Sequence, residues 1–300
     1  MTTAFTAVDV PVRGGALRVG VSEADAGAPT VLLVHGVTAS HLAWTAVTDA
    51  LHESMPGVRL LAPDLRGRGL SRDLSGPAGM AAHADDLRDV LDHFAVDRAL
   101  VVGHSMGAFV SVVLAHRHPE RVSRLLLIDG GLPLAVPDGL DPQEVVAHVL
   151  GPTAARLSMR FGSVGEYLDF WRAHPAFADD WSPQLEEYLA YDLAPDGAGS
   201  FRPATAYETV VDDSTDMNLT SAVPDALAAL RHPARLLTVP RGLQNEEPGL
   251  YAAERLPALL AEYPGLVHER IDGFNHYTIV MSAEGGRVIA DRIRHEITGS

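Results

Sequence analysis

The sequence predicts an α/β fold: a mostly parallel sheet covered by helices on both faces and interrupted by a helical insertion. Three observations carry this. Short apolar runs of strand length alternate with segments of helical spacing before residue 130 and again after residue 230. Between them, from about Gly131 to Leu230, the chain reads as helices punctuated by Pro and Gly, with no clear buried strand. Finally, 300 residues of which 47% are hydrophobic suffice for one large core plus a small appended layer. The expected division is a core of residues 1–130 and 231–300, with residues 131–230 inserted.

Val8 to Val12 and Ala16 to Val21, split by Arg13-Gly14-Gly15, read as an opening hairpin. Val31 to Val34 is a buried strand ending at His35-Gly36, and a helix from His41 to Glu53 follows with Ser40 as its N-cap. Val58 to Ala62 is the next strand. Ala78 to Phe94 has helical spacing, with Met80, Leu87, Val90, Leu91 and Phe94 apolar. Ala99 to Val102 is a strand, Ala108 to Ala115 a helix packed on one side, and Ser123 to Ile128 a strand ending at Asp129. After the insertion come a strand Ala234 to Val239, a helix near Leu250 to Glu262, a strand Val267 to Ile271 and a helix Ala283 to Thr298. The run Asp212-Asp213-Ser214-Thr215-Asp216 reads as an exposed loop rather than a cation site. Ten of the chain's eighteen aromatics lie between Phe161 and Tyr207, either as the insertion's own core or as an apolar roof over a site.

Composition excludes several chemistries. With no cysteine there are no disulfides, thiolate nucleophiles or cysteine zinc sites. All 23 basic residues are arginine, so Schiff-base enzymes, Ser-Lys hydrolases and P-loops, which need a lysine amine, are excluded. A formal charge of −16 argues against a nucleic-acid partner. No apolar run approaches the roughly 20 residues of a membrane span. Met1 to Val10 lacks a basic start and an apolar stretch, so no leader is expected and the expected location is the cytoplasm.

One motif stands at the centre. Gly103-His104-Ser105-Met106-Gly107 is a G-x-S-x-G lying between a predicted strand and a predicted helix. A side chain at so sharp a turn needs small neighbours, and the two glycines supply that room. The turn presents the Ser105 hydroxyl above the sheet, beside the positive end of the following helix.

Together with His35-Gly36, Pro63-Asp64-Leu65-Arg66-Gly67-Arg68-Gly69-Leu70-Ser71, His118-Pro119-Glu120-Arg121-Val122 and Asn275-His276-Tyr277, this motif resembles the α/β-hydrolase superfamily over nearly the whole chain. The resemblance implies that fold with a helical cap after the sixth strand. It implies Ser105 as nucleophile, so the aspartate-nucleophile branches fall. His276 is implied as base, and the amides of Val37 and Met106 as oxyanion hole, with a possible hydroxyl from Thr38. His35 would fix the oxyanion loop, and His104 would point away from the site.

The acid departs from the family pattern. The usual aspartate falls near Asn245, and an amide there cannot hold an imidazolium. Asp129, ending the strand next to that of Ser105, is the favoured replacement. Glu246 or Glu247 of the same loop is an alternative, with Glu246 the one preferred, and an impaired triad in a non-catalytic relative is a third reading. The expected function is a serine hydrolase of a small hydrophobic or aromatic ester or lactone, needing no metal or cofactor. A carbon–carbon bond hydrolase or a ligand-binding relative are the alternatives.

Overall fold

Two helix layers claim alternate residues of one sheet. In a computed structural model, residues 5–25, 27–197 and 199–299 are described, so the first four residues of the segment read as leaderless lie outside them. The first half comprises β1 (Thr6–Val12), β2 (Gly15–Ser22), β3 (Thr30–Val34), α1 (Thr45–Ser54), β4 (Arg59–Pro63), α2 (Met80–His93), β5 (Ala99–His104), α3 (Met106–Arg117) and β6 (Val122–Ile128). Next come α4 (Pro142–Leu150), α5 (Pro152–Ala155), α6 (Val164–Arg172), α7 (Pro183–Tyr191), β7 (Leu193–Pro195), β8 (Phe201–Pro203), α8 (Tyr207–Leu219) and α9 (Ala222–Ala228). β9 (Ala234–Thr238), α10 (Leu256–Glu262), β10 (Leu266–Arg270), α11 (Thr278–Met281) and α12 (Ala283–Thr298) complete the chain.

The large sheet has the order β1-β2-β4-β3-β5-β6-β9-β10. It is parallel from β4 to β10, and only the opening hairpin joins it antiparallel. This is the α/β architecture the alternation predicts. In β3, Val31 and Leu33 pack with Val47 and Leu51 of α1 and Ile289 and Ile293 of α12. Leu32 and Val34 face the other way, onto Leu87 and Val90 of α2 and Val110 of α3. Winding reverses between β3 and β5, and at such a switch point the loops at the carboxyl ends of the strands diverge and open a crevice. Ser105 and the His35-Gly36 loop leave the sheet there. No helix among the described residues is long and apolar enough to cross a membrane.

Several local expectations are corrected. Helix α3 is buried on every side from Met106 to Ala115, not on one, because α2 and α9 flank it. Ser40 has the extended backbone of an N-cap but makes no capping bond. Asp64 substitutes from β4's end, accepting the His41 N–H at 2.8 Å. The acidic run is neither loop nor cation site. It forms the middle of α8, and no metal-binding cluster occurs among the described residues. Asp213 is fully buried, taking the Gly79 N–H at 2.7 Å, His83 Nε2 at 2.9 Å and the Arg68 guanidinium at 2.5 Å. Asp216 takes the Met80 N–H at 2.7 Å, so two carboxylates meet the positive N-terminus of α2.

The segment between β6 and β9 also holds the short antiparallel pair β7–β8. Its last helix, α9, packs on α3 with Val223, Ala226 and Leu227 in the sheet's own core. Most of its aromatics pack among themselves. Phe161, Tyr167, Phe170, Trp171 and Phe177 stack edge to face around Arg156, whose guanidinium lies over Trp171 and bonds Asp192 at 2.5 Å. A small layer needs this internal core, and only Tyr188 of the ten reaches the cleft over Ser105.

Candidate active site

Ser105 closes β5 and opens α3 at φ 54°, ψ −125°, a left-handed conformation that a non-glycine residue adopts only under constraint. The constraint is visible. Ser105 N–H donates to Ile128 O at 2.9 Å, tying the turn to the end of β6. A Cβ on Gly103 would overlap Gly107 O and Ser111 Oγ, and one on Gly107 would overlap Val34 O. Both glycines of the motif are therefore steric necessities. Gly130 is a third: any side chain there would strike the backbone of Ser105.

His276 follows β10, and its Nδ1 lies 2.7 Å from Asp129 Oδ2, with both groups buried. A carboxylate accepts only, so Nδ1 carries the proton and Nε2 is left as the acceptor. Asp129 sits at φ 43°, its N–H on Leu237 O at 2.8 Å. Tyr251 holds the following loop by bonding both the N–H and the carbonyl of Leu132, at 3.1 and 2.9 Å.

The other two candidate positions point elsewhere. Asn245, at φ 64°, accepts from Asn275 Nδ2 at 3.1 Å. Glu246 is exposed, and its Oε2 takes the Gln244 N–H at 2.6 Å within its own turn. Neither has a bond to His276.

Val37, Met106, Ser105 and His276 line one cleft, and Thr38 lies on its wall. Met106 is the first residue of α3, so its N–H has no carbonyl within the helix. Val37 O accepts from Arg68 Nε at 2.8 Å, which fixes that loop's backbone. His35 is buried beneath it. Nδ1 meets Gly36 O at 2.7 Å and Nε2 accepts the Leu65 N–H at 2.9 Å, a pairing only the neutral ring allows. Burial pushes its pKa down to about 4.

His104 does not point away from the site as expected; it lines the cleft and stacks on His276, ring centroids 4.7 Å apart. Its Nε2 donates to His276 O at 2.8 Å, and burial holds it well below the usual histidine range. The sequence reading also missed the roles of Arg68, Asp213, His83 and Asn275. Arg68 lies inside the Pro63–Ser71 motif, but its partner Asp213 lies in the acidic run. Asn275 stands beside His276 and anchors that loop, with its Oδ1 taking the N–H groups of Tyr277 and Thr278 at 3.0 and 2.9 Å.

The cleft holds about 680 Å³ of atom-free space, partly open to solvent. It is a narrow slot between the insertion and the carboxyl ends of the strands. Its walls are chiefly aliphatic, from Leu134, Val149, Leu150, Met217, Leu243 and Leu250. Such a site can hold an apolar molecule with one carbonyl at Ser105.

Comparison with known proteins agrees with this fold. A family model described as alpha/beta hydrolase fold matches residues 29–196. The chain is 32% identical over 127 residues to 2-hydroxymuconate semialdehyde hydrolase of Pseudomonas sp. (strain CF600), covering 42% of this chain and 44% of that protein. It is 32% identical over 141 residues to protein ABHD8 of Homo sapiens, covering 44% of this chain and 31% of that one. The matches thus span less than half the length of these relatives. Among solved structures, E-2-(acetamidomethylene)succinate hydrolase superposes with a TM-score of 0.79 at 20% identity, over 98% of this chain and 99% of that one. Carboxylesterase CesB (YbfK) from Bacillus subtilis gives 0.68 at 20% identity, over 99% and 92%.

Proposed function

This chain belongs to the α/β-hydrolase fold family, and within it we propose that it is a serine hydrolase cleaving carboxylic esters or lactones through an acyl-enzyme on Ser105. The observation that carries the reading is the 2.7 Å bond from His276 Nδ1 to Asp129, which leaves Nε2 as acceptor in the cleft with Ser105.

Nε2 of His276 takes the Ser105 proton as Oγ bonds the substrate carbonyl carbon, and the carbonyl electrons move onto its oxygen. The amides of Met106 and Val37 receive that oxyanion. As the carbonyl re-forms, the bond to the alkoxy oxygen breaks and His276 returns its proton to the leaving group. Water repeats the sequence on the acyl-enzyme, with His276 as base. Asp129 keeps the tautomer and balances the imidazolium. The insertion of residues 131–230 serves as a cap through Leu134, Leu150, Tyr188 and Met217, which close the slot, while α9 at its end packs back into the core.

The second reading is a carbon–carbon bond hydrolase, favoured by the likeness to the semialdehyde hydrolase. A muconate semialdehyde bears a carboxylate, and among the described residues no arginine lines the cleft to receive it. That observation favours the ester reading. A binding protein without turnover, the reading that Asn245 raises, is disfavoured because Asp129 supplies the charge Asn245 lacks.

A fluorophosphonate probe and a panel of p-nitrophenyl esters test the proposal. Labelling at Ser105, lost in Ser105→Ala, with turnover of apolar esters is the expected result. A folded protein that neither labels nor turns over any ester overturns it.

A further inference from the structure

Resting on the hydrolase reading, the slot's chemistry narrows the substrate class. Its titratable lining consists of His104, His276, Tyr188 and Tyr277, with no arginine or carboxylate, and the chain has no lysine. Burial pushes both tyrosines up, so they are neutral phenols. The Arg68 guanidinium behind Met106 is committed, bonding Val37 O and Arg66 O at 2.8 Å each and pairing with Asp213. A carboxylate entering the slot would lose its hydration and gain no counter-charge, which strongly disfavours it. The formal charge of −16 opposes its approach as well.

Besides the nucleophile, Thr38, Tyr188, Tyr277 and Ser214 bring hydroxyls to the slot, and Ser214 is the most buried of them. Ser214, on α8, is 2% exposed and faces the slot. Its neighbour Thr215 bonds back to Val211 O at 2.7 Å, and Thr220 likewise to Asp216 O at 2.7 Å. Ser214 Oγ makes no such bond and has no hydrogen-bond partner among the described residues. Its position is fixed, because the adjacent Asp213 is held by Gly79, His83 and Arg68. A hydroxyl facing the slot can exchange water for a ligand oxygen that meets it, and the bond then favours that ligand over one without the oxygen.

We infer that the slot selects an uncharged acyl substrate carrying a second neutral oxygen (hydroxyl, ether or carbonyl) that Ser214 Oγ binds away from the scissile carbonyl.

Matched p-nitrophenyl esters test this: an alkanoate, a series with an ether oxygen walked along the same chain, and an ω-carboxylate of equal length. The carboxylate ester should have kcat/KM at least about 100-fold below the alkanoate. One ether position should exceed the alkanoate about tenfold in kcat/KM, mainly through KM, and Ser214→Ala should remove that advantage. Ser214→Thr, which keeps the hydroxyl, should restore it. A carboxylate ester turned over within about threefold of the alkanoate overturns the charge selection. Ether esters that never exceed the alkanoate, or a Ser214→Ala loss equal for all esters, overturn the role of Ser214. Fluorophosphonate labelling separates the levels: with Ser105 labelled, these failures strike the substrate class alone. A folded protein that does not label loses both readings.

Discussion

The loops that follow β6 and β9 leave the same edge of the sheet side by side and serve the histidine loop in different ways. Each carries a non-glycine residue at positive φ, Asp129 at 43° and Asn245 at 64°. Asp129 reaches His276 itself. Asn245 reaches Asn275, one residue earlier, which also donates to Ala176 O at 2.8 Å and holds the amides of Tyr277 and Thr278. One loop supplies charge and the other geometry. The contrast explains how an amide can stand where the family's aspartate is usual, because the charge arrives from the neighbouring strand.

Removing the charge should have the largest effect. Asp129→Asn leaves the shape but offers His276 Nδ1 an amide, which favours the wrong tautomer, and kcat should fall about 10³–10⁴-fold. Stopped assays with a p-nitrophenyl ester, beside circular dichroism to establish folding, measure it. A loss under about tenfold would move the acid away from Asp129. Removing the geometry should cost less in rate and more in stability. Asn275→Ala leaves buried N–H groups of Tyr277 and Thr278 unpaired, so we expect about 2–3 kcal/mol of destabilisation in urea melts. Activity should fall about 10–100-fold as His276 loses its fixed position.

His104 is the third anchor of that loop. His104→Phe keeps a ring under His276 but loses the bond to its carbonyl, and kcat should drop about tenfold. His104→Gln, which can reproduce the donor, should recover most of that. Acid attacks the same layer. His35 is held at about 4 by burial, whereas an unfolded histidine titrates at about 6.5. Below about 6.5 the unfolded chain takes up a proton that the folded one refuses, so stability is complete above that value and falls as pH drops towards 4. His104 adds to the slope in the same direction. Thermal melts at pH 7.5 and 4.5 should show a lower midpoint in acid, with a smaller difference in His35→Gln.

How much of this was legible follows from whether the constraint is local. The turn at Ser105 is written in Gly103 and Gly107, because its steric demand falls within five residues. Asp129 could be read as a candidate from its place at the end of an apolar strand, and the structure brings it to His276. The acidic run was illegible. Asp, Ser and Thr in sequence have turn chemistry, yet Arg68, His83 and the N-terminus of α2 hold Asp213 and Asp216 in a helix. Those partners are remote in the chain, and no periodicity announces them. The aromatics of the insertion left two readings open for a related reason. Composition shows that rings are present, but the buried Arg156 with Asp192 decides that they turn inward.

The smallest expected effect is the one that sharpens the comparison most. Glu246 belongs to the β9 loop and is the carboxylate nearest in sequence to Asn245, so it is the first residue of that loop to test as a source of charge for His276. It is exposed, and its Oε2 closes a turn by taking the Gln244 N–H at 2.6 Å. An exposed carboxylate spent on its own loop cannot balance a buried imidazolium, since solvent screens it. Glu246→Gln should therefore leave kcat within about twofold, and the amide oxygen can still accept the Gln244 bond. Asn245→Asp in the same assay should also stay within about threefold, because its carboxylate accepts from Asn275 as the amide did. If Glu246→Gln instead matches the loss in Asp129→Asn, the two loops share the charge and the division between them fails.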